Sequence, residues 1–273
     1  GRQEVPDLKI ICVVKIVPDV DSFAYDYENN TLIRENIRMV LNPDDACALA
    51  CALQVKADRP DCSIEVVTMG PESVHPHMED LLRLDTDRGT IISDPAYRGS
   101  DTYVTSKILA RYLSGRQFDV LFTGSHALDG DTSHVPAQLA EELGLEQMSG
   151  ITAVDLEHFD ERRAVFEVEY ENSVVTYEMA LPAILSLDRE SAYKLPYVKY
   201  EDFQKDVSDK LTLIGNGELG FAPEEVGSAG SLTQVVRTYT QNFETRNQRI
   251  VQTDDEGIEA VFDYLLEKGY LSK

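Results

Sequence analysis

The stretch FDVLFTGSHALDGDTSHVPAQLAEEL, residues 118–143, decides how the rest of the chain is interpreted. Its apolar run at residues 120–122 predicts a buried strand, and a loop of small polar residues follows. The loop leads into a helix that places Val135, Leu139 and Leu143 on one face. Because the first amides of a helix lack internal acceptors and the helix dipole favours negative charge, this order predicts a nucleotide mono- or diphosphate bound at the turn.

Several side chains of this loop can contact such a ligand. The hydroxyls of Ser125, Thr132 and Ser133 can donate to phosphate oxygens. His126 and His134 flank the loop, and each is either a hydrogen-bond partner of a phosphate or a flavin, or a loop histidine without such a role. The loop therefore has the donors that an anion site needs.

Acidic residues in the loop and the missing motifs limit the chemistry. Asp129 and Asp131 would repel a phosphate, so we expect them to accept from loop amides or ribose hydroxyls, or to cap the following helix. The chain has no GxGxxG after its first strand, no P-loop and no GxSxG elbow. No nucleophile–base pair stands out, and His75 and His77 lack the further ligands that zinc would require. We therefore expect neither catalytic residues nor a metal site.

The first half of the chain alternates between apolar runs and helical patterns. Residues 8–17 form a β-branched run that predicts one strand buried on both faces, and Pro18 ends it. A hairpin around Asn29-Asn30 is expected next. Asn42 is the predicted N-cap of a helix that reaches about residue 57, with Pro43 at its first position and Asp44 and Asp45 complementing the dipole.

This alternation continues and predicts the fold class. Strands are expected at residues 64–69, 89–93 and 120–122, with helices between them, and residues 99–102 cap one of these helices. An α/β fold follows: an open parallel sheet with a Rossmann-like layout of the adenine-nucleotide-alpha-hydrolase kind. Its ligand is expected in the crevice at the carboxyl ends of the strands, where the polar turns Pro18-Asp19, Met69-Gly70 and Gly124-Ser125 lie.

The second half of the chain has a different pattern. Residues 151–158, 163–170 and 173–181 alternate like antiparallel strands, and residues 183–187 resemble one more buried strand. Residues 190–250 have little apolar periodicity, and such a segment lies across another surface, either that of its own domain or that of a partner. Residues 255–268 form an amphipathic helix that stops at Gly269. We therefore divide the chain into a nucleotide-binding α/β domain, residues 1–189, and a C-terminal arm with a helix, residues 190–273.

Composition excludes some partners. The 273 residues carry 49 acidic against 25 basic side chains, a formal charge of −24, so binding to nucleic acid is not expected. The acidic surface fits either a partner with a basic face or a role in solubility. No apolar run is long enough for membrane insertion and no signal peptide is evident. The cysteines, Cys12, Cys47, Cys51 and Cys62, are expected as buried free thiols in a reducing cytoplasm.

Seven motifs, taken together and in order, resemble one family. They are CVVKIVPD at residue 12, NPDDACALACAL at 42, VVTMGP at 66, GSDT at 99, ALDGDT at 127, LPAILSL at 181 and GSAGSLTQVVRTY at 227. In this order and spacing the chain resembles, over nearly its whole length, the beta subunit of electron transfer flavoproteins. The resemblance implies a non-catalytic subunit in a heterodimer with an FAD-binding alpha subunit, passing electrons between an acyl-CoA or other dehydrogenase and another carrier. It also implies that the arm and the last helix pack on that partner.

The resemblance also implies the residues that bind the cofactor. Val13 would lie beneath the base, the start of the helix at residue 42 and the end of the second strand would line the site, and Leu195 would anchor a partner-recognition loop. The implied cofactor contacts are Val13, Asn42, Pro43, Asp44, Asp45, Met69, Gly70, Gly124, Ser125, His126, Ala127, Leu128, Asp129, Gly130, Asp131, Thr132, Ser133, His134 and Val135.

The cofactor at this site has two candidates. The run Asp129-Gly130-Asp131-Thr132 resembles the branch that carries a second FAD for electron bifurcation, and Gly130 permits close approach of a bulky ligand. Structural AMP is the alternative. Two other functions fit the residues less well. A universal-stress-type nucleotide-binding regulatory module is about half this length and leaves residues 150–273 unexplained, and a nucleotide-hydrolysing enzyme would need catalytic groups that the pattern lacks.

Overall fold

The computed structural model describes residues 8–19, 24–26, 31–33, 38–234 and 250–271. The chain divides into two compact units, residues 1–234 and residues 235–273. The strands are β1 (Leu8–Val13), β2 (Ile16–Pro18), β3 (Ala24–Asp26), β4 (Thr31–Ile33), β5 (Met39–Leu41), β6 (Cys62–Met69), β7 (Arg88–Ile92), β8 (Val120–Gly124), β9 (Glu146–Val154), β10 (Arg163–Tyr170), β11 (Ser173–Ala180), β12 (Ala183–Leu187) and β13 (Leu211–Ile214). The helices are α1 (Pro43–Asp58), α2 (His75–Leu82), α3 (Thr102–Leu113), α4 (Val135–Leu143), α5 (Asn216–Leu219), α6 (Gly227–Gly230) and α7 (Asp255–Glu267).

The main sheet has nine strands in the order β11-β10-β9-β12-β8-β1-β6-β7-β13. The pairs from β9 to β13 are parallel, and β10 and β11 continue the sheet in antiparallel pairing. The chain runs outward from β1 through β6 to β7, then places β8 on the opposite side of β1. Strand order therefore reverses between β1 and β8, and a crevice is expected at their carboxyl ends. The predicted α/β fold is confirmed.

Helices cover both faces of this sheet. Alternate residues of β1 belong to two separate cores: Ile10 packs in the core that contains Leu49 of α1, whereas Ile11 packs in the core that contains Ile108 of α3 and Leu139 of α4. Burial on both faces is why β1 is apolar at nearly every position rather than alternating. The cysteines are buried free thiols in this core, as predicted.

The predicted single strand over residues 8–17 is wrong in its extent. It breaks after Val13, because the Lys15 amide donates to Asp45 Oδ2 at 2.8 Å instead of to a neighbouring strand. The chain then leaves the sheet as β2, which pairs with β5. The predicted hairpin forms as β3 and β4; its turn, Asn29-Asn30, lies outside the described residues.

The segment after residue 189 lies on its own domain as far as residue 234. β13 adds a parallel strand to β7, which the sequence pattern did not predict, and β9 begins at Glu146 rather than at residue 151. Residues 227–233 then pack against residues 96–101, and we call this contact the glycine interlock. A Cβ on Gly99 would overlap the Ser228 hydroxyl, and one on Gly227 would overlap the Ala96 carbonyl oxygen.

Hydrogen bonds complete the interlock around Asp101. Its Oδ1 accepts from the Val104 amide at 3.0 Å, which caps α3 as predicted. Its Oδ2 accepts from the Thr233 amide at 2.9 Å and from the Thr233 hydroxyl at 3.0 Å, and its own amide donates to Ser231 Oγ at 2.9 Å. Burial opposes ionisation of the Asp101 carboxyl, but the hydrogen bonds that it accepts from Val104 and Thr233 lower its pKa.

The second unit contains the predicted amphipathic helix α7. Asp254 caps it by accepting from the Gly257 amide at 2.8 Å, and Gly269 has the left-handed φ of 75° that suits a helix end. Ile258, Val261 and Phe262 on its apolar stripe are exposed. Among all helices in the described ranges, none combines the length and the hydropathy required to cross a bilayer.

Candidate functional site

The start of α1 is built around Asn42, which is almost completely buried. Asn42 is the N-cap residue of α1, as predicted, but its side chain makes no cap hydrogen bond. Its Nδ2 instead donates to the His126 carbonyl at 2.7 Å, and its Oδ1 accepts from the Leu128 amide at 3.1 Å. Asn42 therefore fixes the loop after β8, which we call the ligand loop, residues 124–135. Pro43 occupies the first turn of α1, as predicted.

Asp45 joins three elements at the point where strand order reverses. Its Oδ2 accepts from the Lys15 amide and its Oδ1 from the Gly124 amide, both at 2.8 Å. Burial raises the pKa of Asp45 to about 7, although these amide hydrogen bonds favour the charged form. Gly124 is required by the close approach, since a Cβ there would lie 2.5 Å from Asp45 Oδ1 and 2.6 Å from Asp44 Cβ.

Asp44 and His126 form a second contact between α1 and the ligand loop. His126 Nδ1 lies 2.7 Å from Asp44 Oδ2, and the His126 amide donates to the same oxygen at 3.3 Å. The Asp44 side chain is 1% exposed, and its Oδ1 has no hydrogen-bond partner in the described part of the chain. Burial raises the pKa of Asp44, and the contact with His126 offsets part of that increase. The other ring nitrogen, His126 Nε2, lies 3.8 Å from Asp131 Oδ1.

The remaining polar residues of the ligand loop differ in their availability. The Ser125 hydroxyl donates to the Ser186 carbonyl at 3.2 Å and accepts from the Gly150 amide, so it is engaged within the protein. Thr132, Ser133 and His134 are exposed. The Asp129 side chain accepts from the Lys15 ammonium, with which it pairs at 2.7 Å, rather than from a loop amide or from the start of α4.

The tip of the ligand loop has strained backbone at two positions. Asp131 has a φ of 47° and Ser133 a φ of 54°, both in the left-handed region. Such conformations cost roughly 1–3 kcal/mol for each residue without glycine's freedom and recur at ligand-binding sites. Gly130, by contrast, has open space around the position of a Cβ.

The approach to α4 has the donors that a phosphate requires. In the part of the chain that the structure describes, the amides of Thr132, Ser133 and Val135 have no hydrogen-bond acceptor. Pro136 follows in the first turn and has no N–H to leave unsatisfied. These amides and the exposed hydroxyls form a donor set that fits the phosphate of a nucleotide.

The other predicted cofactor contacts lie at neighbouring strand ends. Val13 ends β1 and Met69 ends β6, and both are half-buried against the second core. The Gly70 amide donates to the Ile92 carbonyl at 3.1 Å, and the Ala127 carbonyl accepts from Asp131 at 2.8 Å. The structure thus brings the strand ends of β1 and β6 and the start of α1 to the same edge of the sheet as the ligand loop.

Leu195 is the residue that the resemblance implies as a partner anchor. It is half-buried and packs against the first core. The exposed aromatic side chains Tyr197, Tyr200 and Phe203 follow it in the chain.

Sequence reasoning did not identify Lys15 as part of the site. Its side chain is the cation that pairs with Asp129, and its amide binds Asp45. The available signal was a lysine near the carboxyl end of the apolar run at residues 8–17. Within the described residues, no cluster of three or more His, Cys, Asp or Glu side chains has an arrangement that would hold a metal ion.

Comparison with known proteins extends these observations. The profile of the "Electron transfer flavoprotein domain" matches residues 29–206, more than half of the chain. The chain is 30% identical to the "Caffeyl-CoA reductase-Etf complex subunit CarD" of Acetobacterium woodii, over 85% of this chain and 88% of that protein. It is 28% identical to the "Electron transfer flavoprotein subunit beta" of Thermoanaerobacterium thermosaccharolyticum, over 94% and 98%.

A third relative is the "Acryloyl-CoA reductase electron transfer subunit gamma" of Anaerotignum propionicum, 27% identical over 96% of this chain and 99% of that protein. The matched residues of the profile include the start of α1 and the ligand loop. The chain therefore belongs to the electron transfer flavoprotein family, as a member of the beta-subunit type.

Proposed function

We propose that the chain pairs with an FAD-binding alpha subunit and passes electrons between a dehydrogenase, such as an acyl-CoA dehydrogenase, and another carrier. Three observations support this proposal. The family match covers the nucleotide-binding half of the chain, and two of the relatives are named as electron-transfer subunits that accompany acyl-CoA-type reductases. The acidic charge of −24 suits a partner with a basic face.

We propose FAD as the nucleotide at the ligand loop, where it would serve electron bifurcation, with AMP as the alternative. The main support for a nucleotide at this site is the donor set before α4. The amides of Thr132, Ser133 and Val135 have no hydrogen-bond acceptor among the described residues. Open space around Gly130 favours the bulkier ligand. FAD supplies redox chemistry when bound, while this chain's residues bind and orient it and set the charge nearby.

Each residue of the site then has a binding or positioning role. The three amides and the Thr132 hydroxyl donate to phosphate oxygens, and Val13 and Met69 supply apolar surface at the strand ends. Asn42 and Asp45 hold the ligand loop in place from α1. None of these groups forms a nucleophile–base pair, so the proposal contains no catalytic residue in this subunit.

Contact with the alpha subunit is assigned to the C-terminal region of this chain. Residues 1–189 would bind the nucleotide and residues 190–273 would serve the partner. Since residues 190–234 rest largely on their own domain, the exposed apolar stripe of α7 and the aromatic side chains after Leu195 are the surfaces available for that role.

Co-expression with the alpha subunit tests the proposal. We expect a yellow heterodimer, and extraction of its nucleotides should give two FAD per heterodimer. One FAD with one AMP would remove bifurcation but keep the electron-transfer function. A colourless complex that holds ATP would overturn the electron-transfer function itself.

A substitution in the ligand loop tests where the nucleotide lies. Thr132→Arg adds a bulky side chain at an exposed position beside the free amides, so it should remove the nucleotide of the beta site while leaving the fold intact. Thr176→Arg, on exposed edge strand β11, is the matched control and should retain both nucleotides. Unchanged nucleotide content in Thr132→Arg would show that this loop does not hold the phosphate.

A further inference from the structure

The ligand loop has an unusual charge balance for an anion site. Lys15, whose ammonium could face a phosphate, is already paired with Asp129 at 2.7 Å. His126 is held between Asp44 at 2.7 Å and Asp131 at 3.8 Å. An incoming phosphate therefore meets a lysine and a histidine that already contact carboxylates, on a chain that carries a charge of −24.

The charged and titratable groups around His126 come from every element that packs against it. They are Asp44 and Asp45 in α1, Lys15 between β1 and β2, Asp129, Asp131 and His134 in the ligand loop, and Asp188 after β12. Asp188 acts through its charge on Asp44. Acids outnumber bases in this group, so binding of a further anion is unfavourable unless the group gains positive charge.

Asp44 is the carboxylate beside which an added positive charge would be most favourable. It is a buried carboxylate with one oxygen unpartnered, and a buried ion in that state is costly unless a cation or a proton neutralises it. The imidazole at 2.7 Å is the nearest cationic candidate, and histidine side chains change charge in the physiological pH range. Its Nε2 faces the loop tip, on the side opposite to Asp44.

We propose that binding of a nucleotide phosphate to the ligand loop is coupled to uptake of one proton from solvent, and that the Asp44–His126 pair takes up this proton. Nδ1–H continues to donate to Asp44 Oδ2, and the new proton sits on Nε2, which exchanges Asp131 for a phosphate oxygen. The resulting imidazolium lies between one buried carboxylate and the ligand. This inference rests on the proposed function, since it assumes that a nucleotide occupies this loop.

Isothermal titration calorimetry measures the coupling directly. The complex of the full chain with its alpha subunit, with FAD retained in the alpha subunit and the beta site depleted, is titrated with FAD and separately with AMP. Repeating each titration at one pH in buffers of different ionisation enthalpy gives the number of protons taken up. FAD is the cleaner probe, because the second ionisation of a phosphate monoester such as AMP falls near pH 6 and adds its own proton uptake.

The wild-type complex should take up about one proton per nucleotide, and its affinity should fall by up to about tenfold for each pH unit above neutrality. His126→Gln and Asp44→Asn should lose the uptake and flatten the pH dependence. His126→Lys should bind without uptake, because its charge is already present. His158→Gln is the matched control: His158 makes the same contact with Asp155 at 2.8 Å, but on the exposed surface, and its loss should leave proton uptake unchanged.

The outcomes separate this inference from the function on which it rests. Failure of the wild-type complex to bind either nucleotide overturns the nucleotide site, and the coupling with it. Binding without proton uptake, or uptake that persists in His126→Gln, overturns the coupling alone. Thermal unfolding of each variant identifies any that fails to fold, and His126→Lys then provides the comparison.

Discussion

The ligand loop and the glycine interlock each fix a loop at the carboxyl edge of the sheet, and each centres on aspartates. Asp101 in the interlock accepts from two amides and a hydroxyl, and these donors lower the pKa of its carboxyl against the effect of burial. At the ligand loop, burial raises the pKa of two aspartates of α1, Asp44 and Asp45, and Asp44 Oδ1 has no hydrogen-bond partner among the described residues. One contact is saturated and the other is not.

The difference teaches how to separate structural from ligand-binding motifs. The interlock uses its donors and acceptors on itself, and glycines let the two segments touch. The ligand loop has strained backbone at Asp131 and Ser133 and amides without acceptors. Unused hydrogen-bonding capacity next to strain favours a ligand. GSDT and GSAGSLT are two of the motifs by which the sequence resembles the family, and in the structure they contact each other.

The largest effect on stability is expected at Asp45, the buried aspartate next to the ligand loop. Its folded pKa of about 7 lies above the ordinary 3.8, so the native state binds its proton more tightly than the unfolded state. The stability from protonation is present below the unfolded pKa and is lost as pH rises to about 7. Since Asp45→Asn cannot lose it, the variant's free energy of unfolding relative to wild type should rise by up to about 4 kcal/mol from about pH 4 to about pH 8.

Urea unfolding from about pH 2 to about pH 8 measures this difference, and Asp101→Asn is the matched control with the opposite sign. The lowered pKa of Asp101 adds stability that is complete above the unfolded pKa and is lost as pH falls below it, so its variant should fall relative to wild type as pH rises to about 4 and stay level above that. A pH-independent difference for Asp45→Asn would mean that Asp45 titrates in its ordinary range.

Gly227→Ala tests the interlock. The new Cβ would overlap the Ala96 carbonyl oxygen at a residue with φ of 60°, so strain and overpacking together should lower the free energy of unfolding by about 3 kcal/mol. Urea denaturation gives the value. Gly217→Ala, whose Cβ would meet open space in α5, should be within about 0.5 kcal/mol of wild type. If the two variants unfold alike, the close approach at Gly227 does not stabilise the fold.

Much of the fold could be predicted because its signals are local. The apolar runs of β1, β6, β8 and β12 and the amphipathic α7 each identify an element. β13 could not be found this way, because its residues are largely exposed and its pairing with β7 joins positions more than 100 residues apart. The break after Val13 depends on a side chain from another element, Asp45, which periodicity does not report.

The position of the candidate site could be predicted from the sequence, but the hydrogen-bond and ion-pair partners of its residues could not. The small-residue loop predicts a ligand near Gly124, and the residues expected there lie at one edge of the sheet. The partners of these residues were not predictable: Asn42 sits at a helix start as a cap would, yet its amide group binds loop backbone more than 80 residues away. Lys15 and Asp129 meet only because β1 and β8 are neighbours in the sheet.

The smallest effect is expected at the exposed ion pair between Lys15 and Asp129. Asp129→Asn removes a negative charge and releases Lys15, while a pair of this exposure contributes at most about 0.5 kcal/mol to stability. The free energy of unfolding should therefore stay nearly unchanged, but FAD and AMP should bind about threefold more tightly at low salt, an advantage that about 0.5 M salt screens. Glu178→Gln, which breaks the exposed pair with Arg163 on the far hairpin, is the control and should change neither quantity. Weaker nucleotide binding by Asp129→Asn would instead assign Asp129 to the ligand, as an acceptor from its hydroxyls, and would make the ion pair with Lys15 a feature of the ligand-free loop.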